Sequence, residues 1–373
     1  MDFRFGVATD LHIALPHTVP PSTNRFHRTE YSLAAFEVAL STFADFDLDF
    51  LLLCGDLTQD GEDDNHRWLA HRLAQLPHPV YVIPGNHDIL TPNGNAHTVS
   101  MADFRRHYAA CGYGNTDQLY YSQVIAPGVR LVGLNSIFFD GEAQTYRGRL
   151  DVAQLKWLEG VLKASRDELV MVMVHHNVID HLPGQSQSRL GQRYILENAS
   201  ALLKILTRYG VQLVFTGHLH VQDVACVNQR QPIYDIATGS TVSYPHPFRI
   251  LHYRHHGPGG GSLRIESHRM TRIPGIEDFQ QQSRAFVSDR SAPFIKRLLT
   301  DEPLGLEESA ATALLPDLRH FWADIAQGDA RFHFPDFPPA AQRYFERFSC
   351  HDPIDNAAVL QIMRPTEKPL ALR

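Results

Sequence analysis

From the N-terminus, the chain repeats one pattern: a short apolar run ends abruptly in polar residues able to bind or react. Residues 3–9 end at Asp10-Leu11-His12, residues 50–54 at Gly55-Asp56, and residues 80–83 at Pro84-Gly85-Asn86-His87-Asp88. Residues 130–134 end at Asn135-Ser136, residues 169–174 at His175-His176, and residues 211–216 at Gly217-His218-Leu219-His220. Runs this short and apolar predict buried strands. Between them the apolar spacing becomes helical, over residues 29–43, 65–76, 151–164 and 198–209. Asp151 is placed to cap one start, and Asn198 with Gly210 to cap both ends of another helix. Strands alternating with helices predict an α/β core, with the ligand crevice beyond the carboxyl ends of the strands.

After Gly217 the texture changes. Residues 233–237, 248–255 and 262–270 read as further strands, the last two joined by the Gly-rich loop 257–261. From about Pro274 the chain reads as helical and then irregular, with a Phe/Pro-rich stretch at 332–339 expected to serve packing. The expected division is a catalytic domain over 1–272 and a helical C-terminal extension over 273–373, serving as a lid or subunit contact.

Composition narrows the class. A chain of 373 residues, 43% hydrophobic and 20% charged, fits a soluble globular protein. A net charge of -7 argues against a surface built to grip a nucleic-acid polymer. No run approaches the ~20 apolar residues of a membrane span, and the N-terminus lacks a leader pattern. Cys54, Cys111, Cys226 and Cys350 form no C-x-x-C pair and are expected to be reduced structural thiols. Together these features predict a cytoplasmic protein. Histidine is abundant, at 22 residues.

The ligand-type residues at the run ends form a set: Asp10, His12, Asp56, Asn86, His87, His175, His218 and His220. Carboxylate, imidazole and amide oxygen together suit Mn, Fe or Zn better than Ca or Mg. Asp10 and His12 stand two apart, as do His218 and His220, so on an extended strand end each pair faces one way. The glycines before Asp56, Asn86 and His218 are expected to permit sharp turns. Asp60 reads as a turn residue, His17 and His27 as solvated loop residues, and Asn135 and Ser136 as either site or capping residues.

In that order, Asp10-Leu11-His12, Gly55-Asp56, Gly85-Asn86-His87-Asp88, His175 and Gly217-His218-Leu219-His220 resemble the calcineurin-like metallophosphoesterases, over roughly residues 1–270. The resemblance implies a four-layer α/β sandwich, two central β-sheets flanked by helices. It implies two transition-metal ions (Mn, Fe or Zn), with Asp10, His12 and His220 on one, Asn86, His175 and His218 on the other, and Asp56 between them. It implies in-line attack on a phosphoester by a metal-bound hydroxide, with His87 protonating the leaving oxygen and Asp88 orienting His87. His175 matches the family position better than His176. The segment Gly55-Asp56-Leu57-Thr58-Gln59-Asp60-Gly61 lacks the Arg of protein phosphatases and is most similar to the class III cyclic-nucleotide and glycerophosphodiester phosphodiesterases. That group often has His-His-Pro-Pro where this chain has His175-His176-Asn177-Val178. The expected partner is a small phosphoester, cyclic nucleotides or other small diesters foremost. A small phosphomonoester, or a silent scaffold on the same fold, is the alternative, and self-association into a homo-oligomer is open.

Overall fold

The computed structural model describes residues 1–363 except 20, 22–24, 142, 146, 229, 258 and 351–354. The six apolar runs form strands β1 (Asp2–Ala8), β2 (Phe50–Leu53), β3 (Val80–Val82), β5 (Val129–Gly133), β8 (Leu169–Met173) and β9 (Leu213–Thr216). The three later runs form β11 (Ile233–Ala237), β12 (Pro247–His255) and β13 (Gly260–Arg269). Three further strands, β4 (Tyr121–Ala126), β10 (Asp223–Val227) and β14 (Val359–Met363), lie at sheet edges, and a small hairpin pairs β6 (Phe139–Asp140) with β7 (Ala143–Gln144).

Two six-stranded sheets result, in the orders β14-β13-β12-β1-β2-β3 and β10-β11-β9-β8-β5-β4. Within the first, β1, β2 and β3 run parallel, while β12 returns antiparallel beside β1. The sheets pack face to face because strand side chains alternate. Phe5 meets Phe215 of the opposite sheet edge-on, with ring centroids 5.7 Å apart. On the other face of β1, Gly6 lies so close to Phe43 that a Cβ would come within 2.7 Å of its ring. Phe43 belongs to α1 (Ser32–Ala44), which with α2 (Asp63–Leu73) covers the first sheet. On the second sheet, Val132, Val172 and Val214 pack against α4 (Val152–Ala164) and α5 (Ala199–Tyr209). A short α3 (Met101–His107) precedes β4. The layers are therefore helix, sheet, sheet, helix.

The capping expectations divide. Asp151 caps α4 by accepting from the Gln154 N–H at 2.7 Å, and Gly210 ends α5 in the left-handed region at φ 71°. Asn198 makes no side-chain cap. Its amide instead exchanges two hydrogen bonds with the Leu150 backbone, 3.1 and 2.7 Å, because that loop passes alongside and presents a free N–H and C=O.

The C-terminal extension holds α6 (Phe279–Thr300), α7 (Glu308–Leu314), α8 (Phe321–Gln327) and α9 (Pro339–Glu346). They enclose an apolar cluster in which Phe321, Phe337 and Phe345 are buried and Phe332 and Phe334 are partly so, which places the Phe/Pro stretch in packing. The extension is not helical throughout, since β14 pairs with β13 and supplies an edge of the first sheet. Among the described residues no helix is long and apolar enough to cross a membrane. Among the described residues no disulfide joins the cysteines.

Candidate metal centre

The carboxyl ends of β1, β2, β8 and β9 converge, and the loops that follow carry the ligand-type residues. Asp10, His12, Asp56 and His220 form one group of mutually close ligand atoms; Asp56, His175 and His218 form another. Asp56 belongs to both. In the first group His220 Nε2 lies 3.1 Å from Asp10 Oδ1 and 3.5 Å from His12 Nε2, and His12 Nε2 lies 3.9 Å from Asp56 Oδ2. In the second, His175 Nε2 lies 3.3 Å from Asp56 Oδ2 but without the angle of a hydrogen bond. Its Nδ1 donates to the Cys54 carbonyl at 2.8 Å, which aims Nε2 into the centre. His218 Nε2 is tied to the Arg193 carbonyl at 3.1 Å, leaving Nδ1 as its ligand atom.

Asn86 is placed by its neighbours. The His87 N–H donates to Asp56 Oδ1 at 2.8 Å, and a Cβ on Gly85 would fall 2.2 Å from that same oxygen. Gln144 of β7 donates to the Asn86 carbonyl at 2.8 Å. The Asn86 Oδ1 and His175 Nε2 atoms are buried without a hydrogen-bond partner. Orphaned buried polar atoms of this kind cost about 1–3 kcal/mol each. An amide oxygen, imidazole nitrogens and a carboxylate shared between two groups fit a pair of transition-metal cations.

The backbone explains how neighbouring residues reach one point. Asp10 and His12 do not continue an extended strand, as their spacing suggested; their φ angles are 50° and 43°. Asp56, His218 and His220 are also left-handed, at 48°, 65° and 59°. Five of the eight non-glycine residues with positive φ among the described residues are therefore in this set. Such strain persists only where surroundings enforce it, and it concentrates at functional sites. The preceding glycines serve two needs. Gly55 is left-handed at φ 94°, whereas Gly85 and Gly217 are required for close approach, since a Cβ on Gly217 would lie 2.1 Å from Thr9 Oγ1 and 2.5 Å from Asp10 Oδ2.

Electrostatics follow from burial and Asp56. Burial alone favours neutral histidine; it lowers His218 to about 3 and His12 well below the ordinary value, and neutral imidazole is the ligating form. Burial opposes protonation of His175 and His87 too, but the adjacent Asp56 carboxylate prevails and raises each to about 9. Burial likewise resists ionisation of Asp56, and the imidazoles of His175, His87 and His12 overcome it.

A family model for calcineurin-like phosphoesterases matches residues 3–222, more than half of the chain and every one of these residues. The chain belongs to that family. Relatives of this calcineurin-like phosphoesterase include a 3',5'-cyclic-nucleotide phosphodiesterase of Nostoc sp., 28% identical over 196 residues, which covers 52% of this chain and 63% of the relative. A 3',5'-cyclic adenosine monophosphate phosphodiesterase of Vibrio vulnificus is 26% identical over 215 residues, 56% of this chain and 66% of the relative. The chain thus spans slightly less than two thirds of those relatives. The fold is shared with a dimetal phosphatase from Danio rerio at TM-score 0.52 and 16% identity, covering 72% of this chain and 96% of that one.

Other expected roles change. Asp88 does not orient His87. Its fully buried carboxylate accepts from the Leu57, Thr58 and Gly85 N–H groups at 3.1, 2.9 and 2.8 Å, because the turn closed by Asp88 N–H to the Gly85 carbonyl folds it beneath the loop. Asp60, read as a turn residue, is the carboxylate beside His87, 3.5 Å from Nδ1, and the Gln59 carbonyl accepts from Nδ1 at 2.6 Å. His27, read as solvated, stacks on His12 with centroids 4.3 Å apart and reaches Gln59 Oε1 at 3.1 Å. His17 is exposed. His176 turns away to Ser136 Oγ at 2.8 Å. Asn135 Oδ1 accepts from the Ile137 N–H, so Asn135 and Ser136 support the loop. Asp235 gave no sequence signal. It accepts from the Val178 and Ile179 N–H groups and from Thr216 Oγ1, joining the loop after His175 to the end of β9.

Asp88→Ala is expected to cost about 3 kcal/mol or more, since it leaves the buried Leu57, Thr58 and Gly85 N–H groups unpartnered at about 1–3 kcal/mol each. Urea unfolding measures this; a loss below about 1 kcal/mol would mean the loops do not depend on that carboxylate.

Proposed function

We propose that this phosphoesterase is a two-metal phosphodiesterase acting on small diesters, cyclic nucleotides among them. The observation that supports this reading most is the pair of donor groups sharing Asp56. Asp10, His12 and His220 would hold one cation and Asn86, His175 and His218 the other, with Asp56 between. Bound there, two such cations would activate water and neutralise charge on the phosphate oxygens. Asp56 offsets their mutual repulsion. His87 donates its Nδ1 proton to the Gln59 carbonyl, so Nε2 is the atom left to deliver a proton to the leaving oxygen. His27 and His12 form a flat imidazole wall beside His87.

The diester preference rests on charge. A diester carries one negative charge where a monoester carries two, and the segment from Gly55 to Gly61 lacks the Arg that would pair with the second. The relatives named for cyclic-nucleotide hydrolysis support the same class.

Protein stripped with chelator and reloaded with Mn is expected to hold about two ions per chain by elemental analysis, and to lose activity reversibly on stripping. On that preparation kcat/KM is compared for bis-p-nitrophenyl phosphate, a cyclic nucleotide, p-nitrophenyl phosphate and a phosphopeptide. The diesters are expected to lead. A monoester or phosphopeptide ahead by more than about tenfold, roughly 1.4 kcal/mol, overturns the diester reading.

A further inference from the structure

Residues beyond 222 lie outside the matched family region, yet the extension reaches the candidate metal centre from two directions. We propose that it is a brace, holding the turn Gly217-His218-Leu219-His220 and the backbone at Asp10 in their ligating conformation, so that its packing sets metal affinity. This rests on the two-metal reading above.

The first grip is apolar. Along the turn, His218 and His220 reach the centre while Leu219 and Val221, only 2% and 3% exposed, belong to the extension's own cluster with Ile295, Leu299, Phe321 and Phe345. The Gln222 N–H donates to the Ala326 carbonyl of α8 at 3.1 Å, fixing the chain just past His220.

The second grip is polar and acts on the other side of the same ligand group. Ser240 Oγ donates to the Asp10 carbonyl at 2.7 Å, and the Thr241 N–H approaches the Thr9 carbonyl at 3.4 Å. The segment from Ser240 to His246 is held in turn by the extension. Ser283 Oγ of α6 pairs with His246 Nε2 at 2.7 Å, Gln280 donates to the Pro245 carbonyl at 2.8 Å, and the Tyr244 hydroxyl donates to Gln327 Oε1 at 2.6 Å. Tyr244 also packs with Val287 and Ala323.

The need for a brace is local. Asp10, His12, His218 and His220 all have left-handed backbone, a conformation that side-chain-bearing residues leave when the surroundings slacken. A metal ion would gain affinity from ligands already held there, since their ordering is not charged against binding.

The test uses the full chain, stripped of metal and titrated with Mn2+ by calorimetry. Leu219→Ala removes the plug from the turn side, and Phe321→Leu loosens the same cluster from the extension side. Leu162→Ala in α4, buried in the cluster on the far face of the second sheet, is the control for general destabilisation. Leu219→Ala and Phe321→Leu are expected to weaken Mn2+ binding at least tenfold at one or both sites. Leu162→Ala is expected to keep wild-type dissociation constants despite a lower melting temperature. If Leu219→Ala does not fold, Phe321→Leu decides. Wild-type constants in the brace variants, or an equal weakening in the control, overturn the brace. A wild-type chain that takes up no Mn2+ instead refutes the two-metal reading, and the brace with it.

Discussion

Asp56→Asn is expected to lower kcat/KM by about a thousandfold or more at saturating Mn, roughly 4 kcal/mol in transition-state stabilisation. The substitution is nearly isosteric, so the effect is one of charge. Asp56 is the residue common to both ligand groups, and its carboxylate lies 3.3 Å from His175 and 3.9 Å from His12. An amide there offers one oxygen and no negative charge, so two cations are left to repel. The Mn content should fall as well, with at least one ion lost on dialysis. His176→Ala is the comparison, because His176 is as deeply buried but turns toward Ser136; its loss should stay below about tenfold. Near-wild-type turnover in Asp56→Asn at saturating metal would sink the shared-carboxylate geometry.

His87→Ala should behave in the opposite way towards metal. Its Mn content is expected to match the wild type, since His87 contributes to the centre through its backbone N–H to Asp56, which alanine keeps. Turnover of diesters with alkoxide leaving groups should drop about 10²–10³-fold, within the range of a lost general acid. With nitrophenolate as leaving group the loss should shrink below about tenfold, because that anion departs without a proton. Asp60→Asn should show a weaker version of the same dependence, as its carboxylate lies 3.5 Å from the ring. An equal loss for good and poor leaving groups would remove the acid role from His87.

The sequence made the strand ends readable because the six strands that carry them, β3 at a sheet edge included, are almost wholly buried and therefore nearly continuously apolar. Of the missed strands, β4, β10 and β14 are edges of the two main sheets, and β6 and β7 are two residues each. In β14 the pattern alternates, with Val359 and Met363 exposed and Leu360 and Ile362 buried, so one-sided burial dilutes the signal in a short run. The ligand set was legible through its order along the chain. What stood outside was every role that depends on how separate loops meet. Asp88 serves N–H groups some 30 residues earlier, and Asp235 serves a loop more than 50 residues earlier. His27 follows a polar stretch with no period, so nothing local distinguished a ring stacked on His12 from a solvated one.

The position of β1 in its sheet has a consequence for the nascent chain. One edge of β1 is completed by β2, some 45 residues on, but the other waits for β12, with Val7 opposite Arg249 and Phe5 opposite Leu251. Synthesis of residues 54–255, from the end of β2 to the end of β12, takes roughly 10–40 seconds at about 5–20 residues per second. Throughout that interval a strand bearing Phe3, Phe5 and Val7 has an open hydrogen-bonding edge, the feature that recruits strands from other molecules. A fragment cut at residue 222 would keep every residue of the ligand set and also keep that edge, so it should be recovered as aggregate.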